Sequence, residues 1–361
     1  MRGAWRDSPI PMKVWMDVIT PKQVLFFAPI VDELRKSGVE VLATSRRYRE
    51  VGPLAELAGL DLTYVGERGG RGKQEQLLAA TSRQAEMIPI VKDFDPQVAV
   101  SVASAVCARV AFGFGIKHIA VNDSPHSEVA GRLSLPLSHH LLCPWVIPYS
   151  AWRKFGLERR QVSTYHALDP AAWLKRRSPE GPVPALDSKK RTITVRVQES
   201  DAPYLARADE TLTDSLLESL VETFPGCNIV VLCRYDYQVQ EVRMKFGSKC
   251  TVPEEVVSGH SLLNRTDLFI GMGGTMTAEA ALMGVPAISL FQGALFTDRY
   301  LESVELLERP LSIEAALKRS RKLLDPKTKA GQLSTAKKVL DSMEDPVPRI
   351  ADYIEKTAKQ G

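Results

Sequence analysis

The sequence predicts an α/β protein of two doubly wound units, each a parallel sheet covered by helices, facing one another across a cleft. Three observations predict it. The chain has 361 residues, too many for one ordinary core and suited to two domains of about 150 residues each. Short apolar, β-rich runs alternate with helical patterns, and the alternation occurs as two separate series. Between the series lies an unpatterned stretch, residues 169–190, holding Pro170, Pro179, Pro182 and Pro184 and two basic clusters.

In the first series, residues 13–18 read as a strand. Phe27, Ile30, Val31 and Leu34 then recur at helical spacing, with Gly38 as the stop. Strands follow at 39–43, 61–65, 97–102 and 117–121. The intervening helices are expected at 48–57, broken by Gly52-Pro53, at 74–94 with Pro89 as a kink, and at 105–112. The second series places strands at 192–197, 228–232, 250–252, 267–270 and 286–290. Its helices fall at 210–223, 237–246, 262–264 and 277–283. The tail carries an apolar stripe of Ile350, Tyr353, Ile354 and Ala358 that needs a surface to pack on. The expected organisation is a flexible extension (1–11), an N-terminal unit (12–168), the linker (169–190), a nucleotide-binding C-terminal unit (191–340) and a final helix (341–361) that packs back on the first unit.

Composition narrows the function. With 44% hydrophobic and 25% charged residues the chain reads as a soluble globular protein, and a net charge of +4 suits an anionic small ligand better than a nucleic acid. Five scattered cysteines read as core residues of a reducing compartment, and no His/Cys/Asp spacing suggests a metal site. The first eleven residues lack the apolar run of a signal peptide, Met12 is an alternative start to Met1, and the apolar stretch 280–297 is broken by Gly284 and Pro286. The expectation is a cytoplasmic protein with no integral membrane segment. Oligomeric state is left open.

Ligands of such sheets bind beyond the carboxyl ends of the strands, so residues just after each strand are the candidates. The sharpest signal is Asp267-Leu-Phe-Ile-Gly271-Met-Gly273-Gly274-Thr275-Met-Thr277-Ala-Glu279, a strand that runs through a glycine turn directly into a helix. Glycine permits positive φ and close approach of a ligand, and the helix N-terminus offers unpaired N–H groups to a phosphate. Thr275 and Thr277 can cap the helix or donate to phosphate, and Glu279, four residues after Thr275, points back at the turn and suits a ribose. A glycine turn made for packing alone is the competing reading. The chain has no Walker-type phosphate loop. Arg196 and Arg234 stand at or after strand ends and match phosphate geometry, or equally an ordinary surface ion pair. In the first unit Asp17, Asn122, Asp123 and His126 follow strands. His126 is the preferred general base, with Asp17 or Asp123 in support, and His166 near the end of the unit is a further candidate.

Four segments resemble one family: VWMDV around Asp17, VNDSPH ending at Asn122–His126, TYH at Thr164–His166, and LFIGMGGTMTAEAALMGVPAIS over Leu268–Ser289. The chain resembles a largely archaeal family of GT-B-like proteins of unknown function, related to the UDP-N-acetylglucosamine 2-epimerases, over roughly residues 12–307. The resemblance implies two Rossmann-like domains, an interdomain nucleotide-sugar cleft and a nucleotide held by the C-terminal domain. It brings no established reaction. One departure stands out. The family's loop after the first strand reads as two prolines and a histidine, whereas this chain has Pro21-Lys22-Gln23, and Gln23 is no acid or base near neutral pH.

Three readings follow. The first is a glycosyltransferase that uses a nucleotide sugar, UDP favoured, an unknown acceptor (glycan, lipid or small molecule) and no tightly bound cofactor. The second is an epimerase of the same donor. The third is a binding or scaffold protein without catalysis.

Overall fold

The structure, a computed structural model, describes residues 11–360 apart from 49, 71, 177–179, 198–209 and 294, and only the backbone of 210 and 211. The expected flexible extension therefore lies outside the described residues except for its last position, as do Pro179 and Arg177 of the linker.

Seven strands form the first sheet: β1 (Lys13–Asp17), β2 (Glu40–Arg47), β3 (Thr63–Glu67), β4 (Val98–Ser101), β5 (Lys117–Val121), β6 (His140–Pro144) and β7 (Val162–Tyr165). They are all parallel, in the order β3-β2-β1-β4-β5-β6-β7. The second sheet is β11-β10-β8-β9, also parallel, from β8 (Thr192–Arg196), β9 (Asn228–Leu232), β10 (Leu268–Gly271) and β11 (Ala287–Ser289). Each sheet reverses its winding once, between β1 and β4 and between β8 and β10, and at such a switch point a crevice opens at the carboxyl ends.

The central strand β1 shows why the sheet is buried on both sides. Val14 and Met16 face one core and Trp15 the other, all fully buried, as the two-residue period of a strand requires. On the first face packs the helix Pro21–Lys36, which buries Phe26, Phe27, Ile30, Val31 and Leu34. Each such side chain contributes about 1.5–3 kcal/mol. The helix begins at Pro21, where the missing N–H costs nothing.

Several elements differ from expectation. The helix Val51–Leu57 is not broken by Gly52-Pro53, because both lie in its first turn. Residues 250–252 form no strand; one bridge, Thr251 to Val230, replaces it. Strands β6 and β7 are two that the sequence pattern misses. The final helix Pro346–Ala358 starts on the Asp345 cap, whose side chain accepts from the Val347 N–H at 3.0 Å. It buries Val347, Ile350, Ala351 and Ile354 against the Pro21–Lys36 helix, and Arg176 grips Asp345 with two hydrogen bonds of 2.9 and 2.7 Å. Among the described residues no helix is long and apolar enough to cross a membrane.

Candidate functional site

A cavity of about 360 Å³ opens between the carboxyl ends of the two sheets, lined by residues of both halves. Three contacts close its walls across the chain's two halves. The Trp173 indole N–H donates to Glu279 Oε1 at 3.0 Å, Arg234 Nε donates to the Tyr48 hydroxyl at 3.2 Å, and Arg196 stands 3.8 Å from Glu50.

The C-terminal wall is the glycine turn after β10. Gly273 and Gly274 adopt φ of 96° and 93°, a region costly for any residue with a β-carbon, and both line the cavity. A β-carbon on Gly273 would stand 3.1 Å from the Phe291 ring, while one on Gly274 would meet nothing within 4 Å. Gly274 is the cap residue of the helix Thr275–Leu282, and no side chain caps it. The first N–H groups of that helix therefore have no side-chain acceptor, and Thr275 lines the cavity beside them. Glu279 is buried one turn further on. Burial pushes its carboxyl up to about 7, and the Trp173 hydrogen bond only partly opposes this. Arg196, at the end of β8, and Arg234, after β9, also line the cavity.

The N-terminal wall carries a charge cluster. Lys22, in the first turn of the Pro21–Lys36 helix, places its ammonium 2.6 Å from Asp123 Oδ1 and 2.7 Å from Asp169 Oδ2. The Ser124 hydroxyl donates to Asp123 Oδ1 at 2.7 Å, and the Tyr165 hydroxyl to Asp169 Oδ1 at 2.5 Å. Burial works to raise the Asp123 carboxyl, but the Lys22 charge and hydrogen bond outweigh it and hold the group below the ordinary range. Asp169 is pushed up to about 6 by burial, with Lys22 opposing and the neighbouring Asp123 charge adding to the rise. Burial also tends to lower the Lys22 ammonium, yet its two carboxylates hold it above its usual value. His126 lines the same wall. Burial depresses its imidazole, and Asp123 acts against that.

The structure thus brings Gly273, Gly274, Thr275, Glu279, Arg196, Arg234, Asp123 and His126 to one cavity, and leaves four of the sequence-selected residues outside its lining. Asn122 is buried, and its Oδ1 accepts from the Ser124 N–H at 2.8 Å. Asp17 is fully buried beneath the sheet end. Arg83 reaches both its oxygens at 2.6 and 3.1 Å, and Ser104 and Thr44 donate at 2.6 and 2.9 Å. A buried carboxylate demands such partners, and these explain its presence without chemistry. His166 is exposed, its ring tilted 30° over Trp145 with centroids 4.3 Å apart and its backbone N–H donating to Glu344, away from the cavity lining. Thr277 is buried with its hydroxyl against Gly271, where a β-carbon would come within 2.2 Å of it. Gln23, at the family's histidine position, is also outside the lining. Its Oε1 accepts from the Ile19 N–H at 2.7 Å and shapes the turn after β1. Sequence reasoning missed Lys22, Asp169 and Trp173. Asp169 follows β7 and the rule of strand ends selects it once that strand is recognised.

Comparison with known proteins fits this architecture. Residues 12–359 match a family model described as a protein of unknown function (DUF354). An uncharacterised protein of Methanocaldococcus jannaschii is 28% identical over 301 residues, covering 81% of this chain and 86% of that relative. Among solved structures, the UDP-GlcNAc 2-epimerase of Neisseria meningitidis bound to UDP-GlcNAc superposes with a TM-score of 0.71 at 13% identity, over 97% of this chain and all (100%) of that one. The glycotransferase of kitacinnamycin gives a TM-score of 0.67 at 16% identity, over 97% of this chain and 100% of its own. The chain shares the GT-B fold of both enzyme classes.

Proposed function

We propose, from the premise that this chain belongs to the DUF354 family, that it binds a nucleotide diphosphate sugar in the cleft and acts on the anomeric carbon. The carrying observation is the opposition of two unlike walls across one cavity: a helix N-terminus with two glycines at positive φ and two arginines, against a carboxylate-histidine cluster. The diphosphate sits on the Gly273-Gly274-Thr275 amides, with Arg196 and Arg234 balancing its charge. Glu279 accepts from the ribose hydroxyls. UDP is the favoured nucleotide, because solved proteins of the same fold bind UDP-GlcNAc and UDP.

In transfer, the acceptor oxygen bonds to the anomeric carbon as that carbon's bond to the diphosphate oxygen breaks, and the leaving charge is met by the helix dipole and arginines. An acceptor hydroxyl gives its proton to His126 or to Asp123. Lys22 and Ser124 both occupy Asp123 Oδ1, which leaves Oδ2 as the acceptor for that hydrogen. A second reading, epimerisation of the same sugar, is favoured by the likeness of the fold to UDP-GlcNAc 2-epimerases bound to UDP-GlcNAc.

The test is a thermal-stability screen with UDP, other nucleoside diphosphates and their sugars, followed by product analysis. UDP and UDP-sugars raise the melting temperature of the parent and not of Gly273→Val. UDP release that requires an acceptor supports transfer, and an isomerised sugar supports the second reading. Asp123→Asn lowers turnover about 100-fold or more while the UDP-induced shift persists. Absence of any nucleotide-dependent shift defeats the proposal.

A further inference from the structure

Five carboxylates line the cavity, and four of them are accounted for. Lys22 holds Asp123 and Asp169, Trp173 donates to Glu279, and Glu255 is exposed to water. Glu50 is the exception. Its side chain is 17% exposed, its Oε2 is buried, and among the described residues no group donates a hydrogen bond to that oxygen. A carboxylate oxygen kept dry and unbonded is costly. The residue opens the helix Val51–Leu57 but its side chain caps none of the helix amides. Its Oε1 faces Arg196 at 3.8 Å, beyond hydrogen-bond reach. Arg196 is as poorly served. Among the described residues its guanidinium makes one hydrogen bond, from Nη1 to the Cys233 carbonyl, and that bond is 3.4 Å long. Beside it, Arg234 donates to the Tyr48 hydroxyl. Tyr48 and Glu50 belong to the same connection between β2 and the helix Val51–Leu57, so one connection of the N-terminal half engages both arginines of the nucleotide wall.

Building on the nucleotide site proposed above, we propose that Glu50 competes with the diphosphate for Arg196, an autoinhibitory contact that lowers the affinity of the cleft. A diphosphate offers the guanidinium short, charge-assisted bonds in place of a 3.8 Å ion pair, so the exchange favours Arg196. It also sets a second negative group beside Glu50. That carboxylate is relieved only by turning into water, where its bare oxygen gains donors. The apparent affinity for nucleotide is then reduced by the fraction of molecules in which the contact is open. A supporting ion pair, with Glu50 aiming Arg196 at the phosphate, predicts the opposite response to its removal.

Isothermal titration calorimetry of the full chain with UDP tests this. Glu50→Gln, close to isosteric, should bind UDP about 5-fold or more tightly than the parent, the lower end of a typical coupling between two contacts. Glu50→Ala should do the same, which guards against misfolding of the first variant; circular dichroism checks both. Arg196→Gln should bind about 10-fold more weakly, and adding Glu50→Gln to it should restore nothing. That last comparison separates competition for the arginine from plain repulsion of the ligand, which tightens binding with or without Arg196. Equal or weaker binding by folded Glu50→Gln and Glu50→Ala overturns the inference, as does a gain that survives the loss of Arg196. A parent that binds neither UDP nor any other nucleoside diphosphate overturns it too, together with the site on which it builds.

Discussion

Replacing Glu279 by glutamine isolates the one carboxylate that the nucleotide wall keeps out of water. Burial shifts it from an ordinary 4.5 to about 7. At about 1.4 kcal/mol per pH unit, its ionisation costs the folded state about 3 kcal/mol more than the unfolded chain. The sign follows from the direction. The folded pKa is raised, so the protonated group contributes its full stability below pH 4.5, and that contribution is lost as pH rises through 7. Glutamine stays neutral and still accepts from Trp173. Urea unfolding of parent and Glu279→Gln, followed by circular dichroism between pH 4.5 and 8.5, should give equal stability at the acid end. The variant should be ahead by about 3 kcal/mol at the basic end. Other carboxylates slope both curves alike, so the difference belongs to residue 279. A difference that does not change with pH refutes the reasoning.

Three further outcomes follow from the same contacts. Lys22→Met leaves Asp123 and Asp169 together without their cation. It should cost about 3–5 kcal/mol at pH 8 and clearly less at pH 5, where Asp169, pushed up to about 6 in the parent and further once Lys22 no longer opposes the rise, takes up a proton; equal losses at the two pH values would contradict this. Asp17→Asn should destabilise by about 3–5 kcal/mol, and Asp17→Asn with Arg83→Met should lose less than the sum of the single changes, as a double-mutant cycle in urea measures. Gly273→Ala should cost about 1–3 kcal/mol through its φ of 96° and the Phe291 ring, and should abolish stabilisation by UDP in a thermal-shift assay.

Much of the fold is legible in the sequence because the central strands are buried on both sides and carry short apolar runs, Val98–Val100 and Ile119–Val121 among them. Strands β6 and β7 are not. One starts at His140 and ends at Pro144, and the other is only Val-Ser-Thr-Tyr at the sheet edge, where one-sided burial leaves little apolar signal. The glycine turn was visible because φ restricts residue choice there. Lys22 was not, since a lysine early in a helix ordinarily faces water. Nothing in the linear order says that Asp123 and Asp169, 46 positions apart, converge on it. Asp17 and Arg83 show the converse: a carboxylate at a strand end looks functional until a distant arginine accounts for it.

The hydrogen bond from Trp173 to Glu279 makes the molecule its own optical indicator. Trp15 and Trp152 lie in the cores and Trp145 rests on His166, so among the described tryptophans Trp173 alone borders the cleft. An indole bonded to a carboxylate fluoresces differently once that group gains a proton or turns to a sugar hydroxyl. Occupancy of the nucleotide wall can thus be followed in a cuvette with no label, and Trp173→Phe, which keeps the emission of the other tryptophans, should lose the response.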